Sequence, residues 1–401
     1  MDIKLIKNFE EGIYVPVNKG LLIQMIDDNY QLNQFNGKKI FMFNPVTNER
    51  FEVLPEVKKY NMAEISYASS EREYFLFTSA NRISDTQIRV MYYWYTLNDG
   101  QTRLIYTQDI DLDKLGRSIE LKVMVLNENY CIFETVTYKK DVTGADAIIS
   151  KGPAEYKLVM TDISSENNQV LENSIIAKSG IDKILPLDGN MCVIKIGSSL
   201  IEEKLYDDAS IGSNQKEMIG IINVKQFISD IALNLDNIYM EVLDEGTQDI
   251  TFPYIRQSDQ HVVYSKVDVE KKIEEIIIYD TENKVKKVRL NSNISRVSDL
   301  SRTYIINDVP YVIRNTDKTT RLVNLNTQKT ELKLNSDLRI KYIYNDMIVV
   351  QKHVKKMFFM RKENNYIEVF RFPDMHHPVF KTRAKYKDCL VHYDDLLIFT
   401  N

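Results

Sequence analysis

The sequence predicts an all-β fold: a single β-propeller of eight four-stranded blades whose N- and C-terminal strands close the ring, with seven blades as the alternative count. Three observations carry this. With 24 Tyr and 16 Phe among many Ile and Val, the 401 residues favour strands, and helical periodicity is almost absent. A polar turn feeding a strongly apolar strand recurs eight times, and a second kind of hairpin recurs seven times between them. Hairpins that alternate at a spacing of about 40 to 70 residues mark four-stranded units repeated radially.

Lettering the strands A to D outward, the eight A–B turns are assigned in order. Asn18-Lys19-Gly20 precedes LLIQM, Ser70-Glu71-Arg72 precedes EYFLF, Asn127-Glu128-Asn129 precedes YCIF and Asp188-Gly189-Asn190 precedes MCVI. Ser258-Asp259-Gln260 precedes HVVY, Asn307-Asp308 precedes VPYVI, Asn345-Asp346 precedes MIVV and Asp394-Asp395 opens LLIF. Such Asn, Asp, Ser and Gly clusters between apolar runs are hairpin chemistry. The C–D hairpins are assigned to Lys38–Pro55, Gln87–Tyr106, Glu155–Ile175, Met218–Ile231, Ile273–Leu290, Thr320–Leu334 and Lys356–Phe372, the last turning at Asn364-Asn365. Val224–Leu235 reads equally as strand or helix. The eighth blade takes its A–B pair from Lys387–Thr400 and an outer strand from Asp2–Lys7, which makes residues 1–401 one domain.

Asn44-Pro45-Val46-Thr47-Asn48-Glu49-Arg50-Phe51, followed by Leu54-Pro55, resembles the outer hairpin of kelch and F-box-associated propellers. Asp280-Thr281-Glu282-Asn283-Lys284 is a fainter echo. The kelch double glycine is missing, and no WD dipeptide or Gly-His pair recurs. The resemblance implies propeller architecture and transfers no functional residue.

A net charge of −5 argues against general nucleic-acid binding. No apolar run approaches the roughly 18 residues that span a bilayer, and the start MDIKLIKNFEEG lacks the features of a secretion signal. Cys131, Cys192 and Cys389 are odd in number and each sits in an apolar strand, so buried, reduced thiols and a cytoplasmic location are expected. A monomer is also expected.

There is no Gly-rich phosphate loop, CxxC, HExxH or GxSxG. His376-His377 is the sole His pair; adjacent residues diverge, so metal binding would need ligands from other blades. No cofactor or metal is expected. Tyr92-Tyr93-Trp94-Tyr95 alternates across a C strand, where its rings should wedge between blades.

Strand parity places the A–B and C–D turns on one face and the B–C and D–A connections on the other. Most long connections (Tyr138–Ala154, Ser198–Glu217, Asn234–Asp249, Pro373–Tyr386) fall to the second face, where binding loops are expected. Charge divides along that face. Glu202, Glu203, Asp207, Asp208, Asp244 and Glu245 lie in an acidic stretch, and His376, His377, Lys381, Arg383 and Lys385 lie in a basic one. The sequence therefore favours a non-catalytic, cytoplasmic propeller that binds a protein or peptide partner through these residues. The alternative is a carbohydrate-active lyase or hydrolase, or a glycan or small-molecule binder, with its site at the pore mouth of the same face.

Overall fold

The computed structural model describes residues 2–7, 12–17, 20–25, 39–44, 47, 49–53, 63–68, 72–111, 119–138, 154–165, 167–171, 174–187, 190–197, 217–233, 238–247, 249–294, 300–315, 319–335, 338–354, 364–375, 377–392 and 395–400. The strand β1 (Asp2–Ile6) opens the chain. Blade 1 comprises β2 (Gly12–Val17), β3 (Gly20–Met25), β4 (Lys39–Asn44) and β5 (Glu49–Glu52); blade 2, β6 (Ala63–Ala68), β7 (Tyr74–Ser84), β8 (Gln87–Thr96) and β9 (Thr102–Asp111). Blade 3 comprises β10 (Ile119–Val125), β11 (Tyr130–Tyr138), β12 (Ala154–Asp162) and β13 (Asn168–Val170). The helix α1 (Ser174–Ser179) leads to blade 4, formed by β14 (Ile181–Pro186), β15 (Met191–Ile196), β16 (Met218–Asn223) and β17 (Glu241–Glu245), with α2 (Val224–Ala232) between the last two. In blade 5, β18 (Ile250–Thr251) and β19 (Ile255–Gln257) share the A position before β20 (His261–Asp268), β21 (Ile273–Asp280) and β22 (Val285–Asn293). Blade 6 comprises β23 (Arg302–Ile306), β24 (Val309–Asn315), β25 (Thr319–Asn324) and β26 (Thr330–Asn335); blade 7, β27 (Leu338–Tyr344), β28 (Met347–Val354), β29 (Asn364–Arg371) and β30 (Phe380–Thr382). Blade 8 has three strands, in the order β31 (Tyr386–His392), β32 (Asp395–Thr400), β1. The fold class is the expected β-propeller, and all eight A–B hairpins form where the turns predict them.

Two compact units divide the chain. One comprises Met1–Lys140, Val159–Val170 and Tyr386–Asn401, and so holds blades 8, 1, 2 and most of 3; the other, Asp141–Leu158 and Leu171–Lys385, holds blades 4 to 7. In the first unit β31, β2, β6 and β10 are successive neighbours, and in the second β14, β19, β23 and β27 are. The A strands of consecutive blades thus line up beside one another, which identifies them as the inner layer.

Within each unit, apolar side chains of adjoining blades fill the space between them. Tyr93 stacks on Phe77 with centroids 4.9 Å apart, and Tyr95 packs on Phe75, in the core shared by blades 1 and 2. Tyr92, one residue away, meets Phe133 at 4.1 Å in the core of blades 2 and 3, and Trp94 meets Tyr74 edge-on at 5.4 Å. The alternation across β8 is the wedge expected from its period of two.

The two chain ends pair in blade 8. β1 runs parallel to β32 from Asp2↔Asp395 to Ile6↔Phe399. Lys4 forms an ion pair with Asp395, and Leu397 and Phe399 pack with Phe43 of blade 1. Turn chemistry is explicit at Asn307 and Asp308, where both residues have positive φ (48° and 59°), the geometry that lets a two-residue hairpin follow strand twist.

Two C–D assignments need correction. Met218–Ile231 is not a hairpin: β16 runs into α2, whose Asn223 cap accepts a hydrogen bond from the Gln226 N–H at 3.1 Å. Val224, Phe227 and Ile231 recur at helical spacing and are buried, so period 3.6 outcompetes the strand reading. The D strand is instead Glu241–Glu245. In blade 7, Asn364-Asn365 does not turn but begins the C strand, where Asn365 pairs with His353 and is buried. Its D strand is Phe380–Thr382. Parity therefore moves residues 372–379 to the A–B/C–D face.

Cys131, Cys192 and Cys389 are buried and unpaired. Burial pushes all three thiols up, Cys192 to about 11.

Two outcomes are expected. Deleting residues 1–8 exposes the β32 edge and lowers stability by about 3 kcal/mol or more, and an unchanged melting temperature would overturn that role for β1. Without denaturant, a thiol reagent should label the three cysteines far more slowly than a small thiol; rapid labelling would show that these strands open in the native state.

Candidate functional site

The structure separates the residues that the sequence grouped. Glu202, Glu203, Asp207, Asp208 and His376 lie outside the described residues. His377 is exposed in the C–D connection of blade 7, on the opposite face from the one expected. Lys381 lies on the outer strand β30, where its ammonium meets Glu368 at 2.6 Å and sits 5.5 Å from the Tyr366 ring centroid. Its charge is committed within its own blade. Arg383 and Lys385 are exposed in the D–A connection between β30 and β31, as parity requires.

Asp244 is on β17 and only 8% exposed, so it is no rim charge. Its carboxylate accepts hydrogen bonds from Tyr264 Oη, Lys266 Nζ and Lys286 Nζ, each at 3.1 Å. Lys286 also donates to the Leu243 carbonyl at 3.1 Å. Burial alone would raise the Asp244 pKa, but the two lysines outweigh burial and hold it below the ordinary carboxylate value. Nearby, Glu241 accepts from Tyr279 Oη at 2.7 Å and Lys284 Nζ at 3.0 Å. These carboxylates tie the outer strand of blade 4 to blade 5. Glu245 is exposed beside Asp244, whose Oδ1 accepts its N–H.

Glu217 has a comparable role nearer the centre. It is buried, and its carboxylate accepts from Thr251 Oγ1 at 2.6 Å and the Phe252 N–H at 2.8 Å, pinning the break between β18 and β19. Lys195, also buried, reaches Asp182 at 3.0 Å and Glu217 at 3.7 Å. Each charge is paired, as burial demands.

The inner strands of the second unit hold a group that the sequence reading passed over. β14, β19, β23 and β27 carry Lys183, Arg256, Arg302, Arg339 and Lys341, against a single acid, Asp182. Register sets their depth. Lys183, Arg302 and Arg339 pair respectively with Lys195, Ile313 and Gln351, each the fifth residue of its B strand counted from the A–B turn. Arg256 pairs with Val263, the third residue of its own, and Lys341 occupies the bulge between Ile340 and Tyr342. At roughly 3.4 Å per strand residue, all five lie within about 7 Å of one depth. Arg256, Arg302, Arg339 and Lys341 are exposed and Lys183 is half-buried. Burial lowers the pKa of Lys183; Asp182 offsets part of this, and the charges of Lys195 and Arg256 lower it further. Burial, Arg339 and Arg302 lower that of Lys341. The cations therefore feel one another across blade boundaries. The signal was present in the sequence, as a basic residue near the start of each A strand (IDKILP, IRQ, RTYII, LRIKYIY).

An apolar pocket of about 310 Å³, including its open mouth, lies between the blade 4 sheet and its two helices, lined by Ile176, Ile194, Ile196, Ile222, Phe227, Ile238 and Met240. It offers no polar group to orient a ligand and is read as a gap under the helices. Met240 packs so closely over β16 that a Cβ at Gly220 would collide with its side chain. Among the described residues, no three His, Cys, Asp or Glu side chains converge as a metal site, and no helix is long and apolar enough to cross a membrane.

No protein-family model matches the sequence, and neither does any curated protein. Solved structures do match. Dipeptidyl peptidase 4 from Porphyromonas gingivalis is 9% identical, with a TM-score of 0.52, 96% of this chain covered and 55% of that one, so the chain spans about half of that enzyme. The β-propeller domain of the Trilobed protease from Pyrococcus furiosus is 13% identical (TM-score 0.43; 93% and 99% covered). Oligogalacturonate lyase from Vibrio parahaemolyticus is 8% identical (TM-score 0.46; 85% and 95% covered). Likeness at such identities concerns fold alone.

Asp244→Asn should cost about 1–2 kcal/mol near neutral pH, because the partly exposed lysines lose their counter-charge. With the native pKa depressed, the stabilisation is full above the ordinary Asp value of 3.8 and fades as pH falls through the native pKa. Wild type and variant should therefore converge on acidification in urea melts; a constant difference at every pH would show that packing, not charge, is lost.

Proposed function

We propose that this propeller is a non-catalytic binding protein, whose partner is a protein or peptide presenting acidic side chains to the face that carries the B–C and D–A connections. One observation carries the reading. In the second unit β15 ends at Ile196 and β16 begins at Met218, so 21 residues of sequence join strand ends on that face, whereas the A–B connection Asn307-Asp308 of the other face has two. Long connections on a strand scaffold are where recognition residues concentrate. Arg383 and Lys385, exposed on a D–A connection, supply positive charge there. Charges of this kind govern encounter and orientation more than final affinity. The reading also takes residues 1–401 as one monomeric domain in the cytoplasm, to which the three unpaired thiols lend support.

A photo-crosslinking residue at position 385 of the full chain should capture a protein from native lysate, and the same residue at Asp99, in the C–D turn of blade 2, should not. Once the captured protein is purified, R383E/K385E should slow its association about tenfold at low ionic strength and much less at high salt. Capture from position 99 alone would overturn the choice of face.

A further inference from the structure

We propose that the inner strands of blades 4 to 7 form a binding site for a small polyanion that carries two or more carboxylate or phosphate groups. This does not rest on the docking reading above, which concerns the exposed connections.

The first argument is placement. β14, β19, β23 and β27 are consecutive neighbours. Their register brings Lys183, Arg302 and Arg339 to the same depth, with Arg256 and Lys341 within two residues of it. A basic residue at one level of four successive inner strands is a belt of charge.

The second argument is charge balance. The chain carries a net charge of −5, yet this belt has five cations and one acid. That acid is already engaged, since Asp182 accepts from Lys195 at 3.0 Å. Arg256, Arg302 and Arg339 make no ion pair among the described residues. By sequence, the inner strands of the other unit differ: AEISYA, IELKVMV and YKDCLVH together hold two lysines and three acids. The concentration of one sign is thus specific to blades 4 to 7 and is not a general property of inner strands.

The third argument is cost. At other strand junctions among the described residues buried charges are paired, as at Asp244, Glu217 and Lys195. In the belt, like charges face one another across blade boundaries: burial lowers the pKa of Lys183 and Lys341, and the charges of Arg256 and Arg302 on neighbouring blades lower them further. An arrangement that costs stability without contributing to the core is what a ligand site looks like before its ligand binds.

The chemistry of the ligand follows from the donors. Three guanidinium groups offer planar forks that suit carboxylate or phosphate oxygens in pairs, and the two lysines add point charges. Because the donors come from four strands rather than one pocket wall, a single monoanion would satisfy only part of the set, whereas a ligand with several oxyanion groups bridges them.

The test uses the full chain with pyrophosphate and citrate as probes, by isothermal titration at low ionic strength. Binding to wild type is expected with at least one of them, and R302Q/R339Q should weaken it about tenfold or more. The charge-matched control K287Q/K333Q, at exposed positions on outer strands, should leave it unchanged. Without anion, R302Q/R339Q should melt higher than wild type, because two mutually repelling charges are gone. R256Q, a single change on a separate strand, gives an independent reading of the same loss if the double variant folds poorly. No heat with either probe, or equal weakening in the belt and control variants, would overturn the proposal and leave only diffuse surface charge.

Discussion

The structure depends on one constraint: in blades 2 to 8, where its burial is described, the second strand is buried on both faces. Phe75 and Phe77 of β7 enter the core shared with blade 1, while Leu76, between them, enters the core shared with blade 3. In β20, Val262 and Tyr264 face blade 4 and Val263 faces blade 6. Burying each such side chain is worth about 2 kcal/mol, and no blade can obtain it alone, because an isolated four-stranded sheet leaves both faces wet. Each blade is thus stable only through its neighbours, and within each unit the repeats stack much as in a solenoid.

Electrostatics finish what packing begins, chiefly at the outer strands, where apolar contact thins. Asp244 and Glu241 fasten blade 4 to blade 5, and Arg89 chelates Asp109 within blade 2 through two contacts of 2.7 and 2.9 Å. Charges counted from the sequence are thus in part consumed by architecture. The belt lies on the inner strands, a different layer from the D–A connection that carries Arg383 and Lys385.

How far the sequence could be read follows from where hydrophobicity is concentrated. The A–B hairpins were legible because their B strands open on apolar runs that follow polar turns, with positive φ at Asn307, Asp308 and Asn345. The D strands were harder. Glu241–Glu245 and Phe380–Thr382 are short and half-exposed, so nothing in their pattern distinguishes them from a polar connection. Missing them reversed the parity of residues 372–379 and sent His377 to the wrong face. The helix at Val224–Ala232 was ambiguous for the same reason that short apolar runs generally are. The site was less legible than the fold, because a charge in a sequence does not reveal its partner. Asp244 and Lys381 look like rim charges in the sequence, yet both are held in ion pairs within the framework. The belt escaped because its members are scattered through more than 150 residues and converge only when register is counted from each turn.

The pairing of β1 with β32 has a consequence for how fast the fold is completed. Its ion pair joins Lys4 to Asp395, 391 positions away, whereas hairpins such as β23–β24 join near neighbours in the chain. Contacts of such separation form only after the loop-closure entropy of the intervening chain has been met, and they slow folding more than they change stability. The hairpins can therefore close early, and the β1–β32 ladder is among the last contacts to form.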